Sequence, residues 1–129
     1  MELRHYRFKC FNKLKLFQLT QAEDIVHNWG CILQEKYNCV LVNHKLYSHE
    51  LHIYLLADEH APIQKIIANG KRFMAYEIVF RLELKRRTDI LRKLESGCSS
   101  SEIRKGQLHK VFETRIQKAV QRNYRKGYK

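Results

Sequence analysis

Tyr47-Ser48-His49-Glu50-Leu51-His52-Ile53-Tyr54-Leu55-Leu56 is the stretch on which the fold turns. Leu51 to Leu56 is a short apolar strand. Residues two apart on a strand point the same way, so Glu50 and His52 share one sheet face while His49 and Leu51 share the other. Before it, Cys39-Val40-Leu41-Val42 begins another strand, expected to be buried. After it, Pro62 marks a helix start, because a first-turn residue needs no N–H donor. Ile63, Ile67, Gly70, Met74, Ile78 and Leu82 then recur at spacings of three and four, one apolar stripe of a helix reaching about Leu84.

Further out, residues 4–11 alternate polar and apolar as a strand with one buried face. Thr20 is the expected N-cap of a first long helix, with Glu23 and Asp24 in an acidic first turn. Ile25, Trp29, Ile32 and Leu33 carry that helix to about Lys36. Thr88-Asp89 is expected to cap a shorter piece through Leu94, residues 96–101 form a serine-rich loop, and residues 108–113 look like a last short strand. The order is strand, helix, strand, strand, helix, strand, then a basic tail. It predicts an α+β sandwich of the ferredoxin-like, split βαβ kind: an antiparallel sheet with two main helices on one face. Residues 1–114 form the domain and 115–129 the tail.

The chain has 129 residues, enough for one core. Its 25 Lys+Arg against 13 Asp+Glu give a net charge of +12, which points to a polyanionic partner, nucleic acid before anionic membrane. No apolar run is long enough to span a bilayer and no secretory signal opens the chain, so a cytoplasmic protein without membrane partners is expected. Cys10, Cys31, Cys39 and Cys98 fall in no regular spacing and read as reduced thiols.

Glu50 and His52, side by side on a strand, form a pair that can hold Mg2+ or Mn2+ completed by water and phosphate, or can bond to each other. A zinc-protease motif is excluded because Ile53 stands where its second histidine belongs. Lys65, Lys71, Arg72, Lys85, Arg86 and Arg87 place cations along the second long helix, with Phe73 and Tyr76 between them. This suits a face for nucleic-acid backbone with rings for unpaired bases, and equally a solvated helix whose polar side is basic. In the tail, Arg115, Lys118, Arg122, Arg125 and Lys126 are further candidates for phosphate contact, or a solvated end. No phosphate-binding glycine loop or serine-hydrolase elbow is present.

Residues 66–83, Ile-Ile-Ala-Asn-Gly-Lys-Arg-Phe-Met-Ala-Tyr-Glu-Ile-Val-Phe-Arg-Leu-Glu, closely resemble the helix after the metal-binding strand of the single-tyrosine HUH transposases, in particular the insertion-sequence and REP-associated branch. Phe17-Gln18-Leu19-Thr20 with Asp24-Ile25-Val26 and Trp29 is similar to that family's first helix and its entry. Gln107-Leu108-His109-Lys110-Val111-Phe112-Glu113 resembles the strand after its central helices. The resemblance implies a ferredoxin-like domain acting as a homodimer on single-stranded or hairpin DNA. Such enzymes hold Mg2+ or Mn2+ on two histidines flanking a hydrophobic residue, and a tyrosine attacks the scissile phosphate.

Two departures shape the expectation. Where the family has Met-Pro-Asn-His-hydrophobic-His, this chain has Tyr47-Ser48-His49-Glu50-Leu51-His52, so Glu50 takes the first histidine's place. After Thr114 the resemblance stops, and the family's tyrosine followed by Asn-Pro has no counterpart; Tyr124 is the one tyrosine in the right region that could stand in. The expected protein is a DNA-binding, transposase-like domain, C-terminally truncated and catalytically impaired. The alternatives are a non-catalytic nucleic-acid-binding module, or an inhibitor that dimerises with a full-length transposase.

Overall fold

Alternation along the strands sets the layering. The computed structural model describes residues 1–113. They form β1 (Glu2–Lys9), a 3-10 turn (Phe11–Lys13), α1 (Leu16–Thr20), α2 (Glu23–Tyr37), β2 (Val40–Leu46), β3 (Glu50–Ala57), α3 (Ile63–Leu84), α4 (Thr88–Ser96) and α5 (Ser100–Arg104). The protein is α+β, with a three-stranded antiparallel sheet in the order β1-β3-β2. Leu51, Ile53, Leu55 and Ala57 of central β3 are wholly buried, as are the inward residues Tyr6 and Phe8 of β1. They meet Ile25, Val26, Trp29 and Leu33 of α2 and Ile66, Met74, Ile78 and Leu82 of α3 in one core.

β1 pairs with β3 without a slip, from Glu2↔Ala57 to Lys9↔Glu50. β2 slips once: Leu41 faces Leu55 and Asn43 faces Tyr54, so Val42 is a surplus residue in a β-bulge. The bulge lets Leu41, His44 and Leu46 all sit opposite β3 residues of the packed face.

Trp29 fixes how α2 crosses α3. Its ring lies against Gly70, where an added Cβ would come within 2.4 Å of it. Its indole N–H donates to Asn69 Oδ1 at 3.3 Å. A second tie is Arg81 of α3, which donates to both carboxylate oxygens of Asp24 (2.9 and 2.6 Å) and to the carbonyl of Thr20 (3.0 Å).

Several boundaries differ from the sequence expectation. The first strand ends at Lys9, because Asn12 and Lys13 take positive φ angles and turn the chain. Thr20 does not cap the first long helix: it ends α1, is buried, and its hydroxyl donates to Leu16 O at 2.7 Å. Thr88 is already helical in α4 and caps nothing through its side chain. The strand expected to be buried, β2, lies at the sheet edge, leaving Val40 and Val42 exposed. α5 begins within the serine-rich stretch and runs past it, opened by a capping box in which Ser99 Oγ accepts from Glu102 N–H and the Glu102 carboxylate accepts from Ser99 N–H. In place of a last strand there is a single antiparallel bridge, Cys10↔Phe112, flanked by Phe11 N–H to Val111 O (2.8 Å) and Glu113 N–H to Lys9 O (2.8 Å).

Candidate nucleic-acid and metal site on the open sheet face

The same alternation that buries Leu51, Ile53 and Leu55 turns Glu50, His52 and Tyr54 to the face opposite the helices, where all three are half-buried. Strand pairing completes the surface in rows. Arg7 of β1 and Lys45 of β2 flank His52, His5 and Asn43 flank Tyr54, and Lys9 lies beside Glu50.

Glu50 and His52 are close together, with His52 Nε2 3.6 Å from Glu50 Oε1. The other carboxylate oxygen, Oε2, lies 3.7 Å from Arg7 Nε. The other imidazole nitrogen, His52 Nδ1, shares a 2.9 Å hydrogen bond with His5 Nε2, and which ring donates depends on the tautomer. His5 is stacked on Tyr54 (centroids 4.6 Å apart, planes within 6°), and Tyr47 meets His52 edge-on at 5.7 Å. Burial, followed by the nearness of His52, Arg7 and Lys45, lowers the pKa of His5 and so favours its neutral form.

The surface therefore combines a carboxylate–imidazole pair, three cations (Arg7, Lys9 and Lys45) and a cluster of aromatic rings. Among the described residues there is no group of three or more His, Cys, Asp or Glu side chains able to hold a metal ion. Glu50 and His52 would supply two donors. Mg2+ and Mn2+ commonly take one or two carboxylates and fill their shell from water and phosphate, so the donor chemistry fits, while the Arg7 guanidinium opposes a second cation. Any ion held here would need substrate oxygens to complete its shell.

The cations expected from the sequence are distributed differently. Lys71 and Arg72 lie on α3, across the sheet from Glu50 and His52, and Lys71 Nζ donates to Glu113 O at 3.1 Å. Lys85 and Arg86 are exposed in the turn after α3, and Arg87 is tied to Asp89 through two bonds of 3.2 and 3.1 Å. Tyr124, Arg115, Lys118, Arg122, Arg125 and Lys126 lie outside the described residues. His5, Arg7, Lys45 and Tyr47 were not singled out from the sequence. Alternation alone placed His5 and Arg7 on one face of β1, but their meeting with β3 depends on a register set by residues over 40 positions away.

No protein-family model matches this chain, and neither a curated protein nor a solved structure is significantly similar to it. No helix among the described residues is long and apolar enough to cross a membrane.

Proposed function

We propose that this protein is a DNA-binding, transposase-like domain whose strand-cleaving chemistry is impaired, acting on single-stranded or hairpin DNA as a cytoplasmic homodimer. The observation that carries it is the joint placement of Glu50 and His52 on one open sheet face, flanked by Arg7 and Lys45. Phosphate is attracted by the two cations, and the carboxylate–imidazole pair lies where a backbone phosphate would rest. The strand order and the arrival of Phe112 beside Cys10, at the outer edge of β1 where a fourth strand would lie, favour the ferredoxin-like form of the fold.

Glu50 and His52 are the residues that would hold Mg2+ or Mn2+. Such an ion, when bound, would neutralise charge on phosphate oxygens. His5 would orient the His52 ring by accepting from Nδ1–H, leaving the lone pair of Nε2 to face the ion beside Glu50. Impairment follows from the chain's own residues: a carboxylate replaces an imidazole, and Arg7 competes for it.

The test is a nicking assay on labelled single-stranded hairpin DNA with Mn2+, using wild type, His52→Ala and Tyr124→Phe. Binding without a covalent protein–DNA adduct is expected. An adduct that disappears in Tyr124→Phe would overturn the impairment, and failure to retain the hairpin at all would overturn the DNA-binding function.

A further inference from the structure

A cleft of about 780 Å3 lies between the outer side of α3 and residues 105–112, on the helical side of the sheet. Tyr76 (78% exposed), Phe80 (51%) and Leu108 (67%) present large apolar groups to it. Arg72, Tyr76 and Phe80 fall four residues apart on α3, so they form one ridge. The size is that of a small-ligand site, roughly 300–1,000 Å3.

Lys71, Arg72 and Lys105 place cations on the same lining. Among the described residues none of the three forms an ion pair with a carboxylate. The Lys71 ammonium is half-buried, lies 5.9 Å from the Phe8 ring, and has its pKa lowered by that burial. Of the acidic lining groups, the Glu102 carboxylate is already engaged by Ser99 N–H and by Lys110 (3.4 Å). Glu83 lies roughly 18 Å along the helix from Lys71. An apolar aromatic bed with Lys71 and Arg72 at one end of its α3 side is complementary to a ligand with a flat ring and an adjoining anion.

We propose that this cleft seats an unpaired nucleotide, its base against Tyr76 and Phe80 and its phosphate against Lys71 and Arg72. The proposal rests on the nucleic-acid-binding function above and adds a second contact area behind the sheet, selective for single strands. Base–aromatic stacking accepts any base, so the selectivity is for unpaired bases and not for sequence.

The test uses the full chain and fluorescence anisotropy with a labelled oligothymidylate strand, and with a strand of equal length whose bases are removed. Removing the bases, or making Tyr76→Ala or Phe80→Ala, should each weaken binding by roughly 5- to 150-fold, with the combination far less than multiplicative. Arg72→Gln should lower the salt dependence of binding by about one phosphate contact. A strand carrying 5-iododeoxyuridine should photo-crosslink at Tyr76, located by peptide mass spectrometry. Binding that persists unchanged in the variants and without bases overturns the cleft while leaving DNA binding intact. No binding by wild type to any strand overturns both. If Tyr76→Ala instead dissociates a dimer at unchanged DNA affinity, the face is a contact between copies and the proposal fails.

Discussion

Trp29 and Gly70 show how much of the packing depends on a missing side chain. With the ring 2.4 Å from where a Cβ would stand, Gly70→Ala must push the indole or separate α2 from α3. Overpacking of this kind costs about 1–3 kcal/mol, which urea unfolding followed by circular dichroism would register. Cysteine chemistry offers a second check. Burial pushes the Cys10 thiol up to about 12, while Cys31 is exposed. At pH 8 iodoacetamide should modify Cys31 within minutes and leave Cys10 intact until denaturant is added, as read by mass spectrometry. Residue-level chemistry was partly legible in advance. Strand alternation placed Glu50 and His52 together, because that relation spans two positions. The contacts of Glu50 with Arg7 and of His52 with His5 were not, because they depend on long-range pairing.

Elements join through a few identifiable links, of which Asp24 and Arg81 form one. The Arg81 hydrogen bonds lower the Asp24 pKa below its ordinary value. A depressed carboxylate stabilises the fold above its unfolded pKa of roughly 3.9, and that contribution is lost as pH falls through the folded value. Asp24 is largely exposed and Arg81 about a quarter so (60% and 24% of their side chains), and with the carboxylate open to solvent the effect is about 0–1 kcal/mol. Asp24→Asn should therefore lower stability slightly at pH 7, and the difference from wild type should vanish towards pH 2, as measured by thermal melts across that range. The apolar stripe of α3 was readable from its spacing because six positions repeat the same message. Single caps were harder. Thr20 has the chemistry of an N-cap, yet its hydroxyl turns back to Leu16 O inside α1. The Ser99–Glu102 box had the right spacing but sat in a run of serines that reads as loop.

Across the whole molecule, a charge of +12 and a sheet face bearing Arg7, Lys9 and Lys45 predict that the proposed binding to nucleic acid is strongly salt-dependent. For single strands, log K should fall with log salt at about 0.7 per phosphate neutralised. Arg7→Gln and Lys45→Gln should each reduce that slope by about one contact in anisotropy titrations. The α+β class was legible because strands and helices alternate in the sequence. The open face was half legible: alternation says which β3 residues turn away from the helices, but which residues of β1 and β2 flank them follows from the strand register.

The surplus residue in β2 reaches beyond its own position. Leu41 and Asn43 already oppose Leu55 and Tyr54 as consecutive partners, so deleting Val42 would leave an unbroken ladder with every side chain facing as before. The shortened protein should fold, but its rim would lose the local kink that discourages strangers from adding a strand. Its cost would be paid in company rather than in stability: analytical ultracentrifugation should show the deletion variant clustering at concentrations where the parent chain does not.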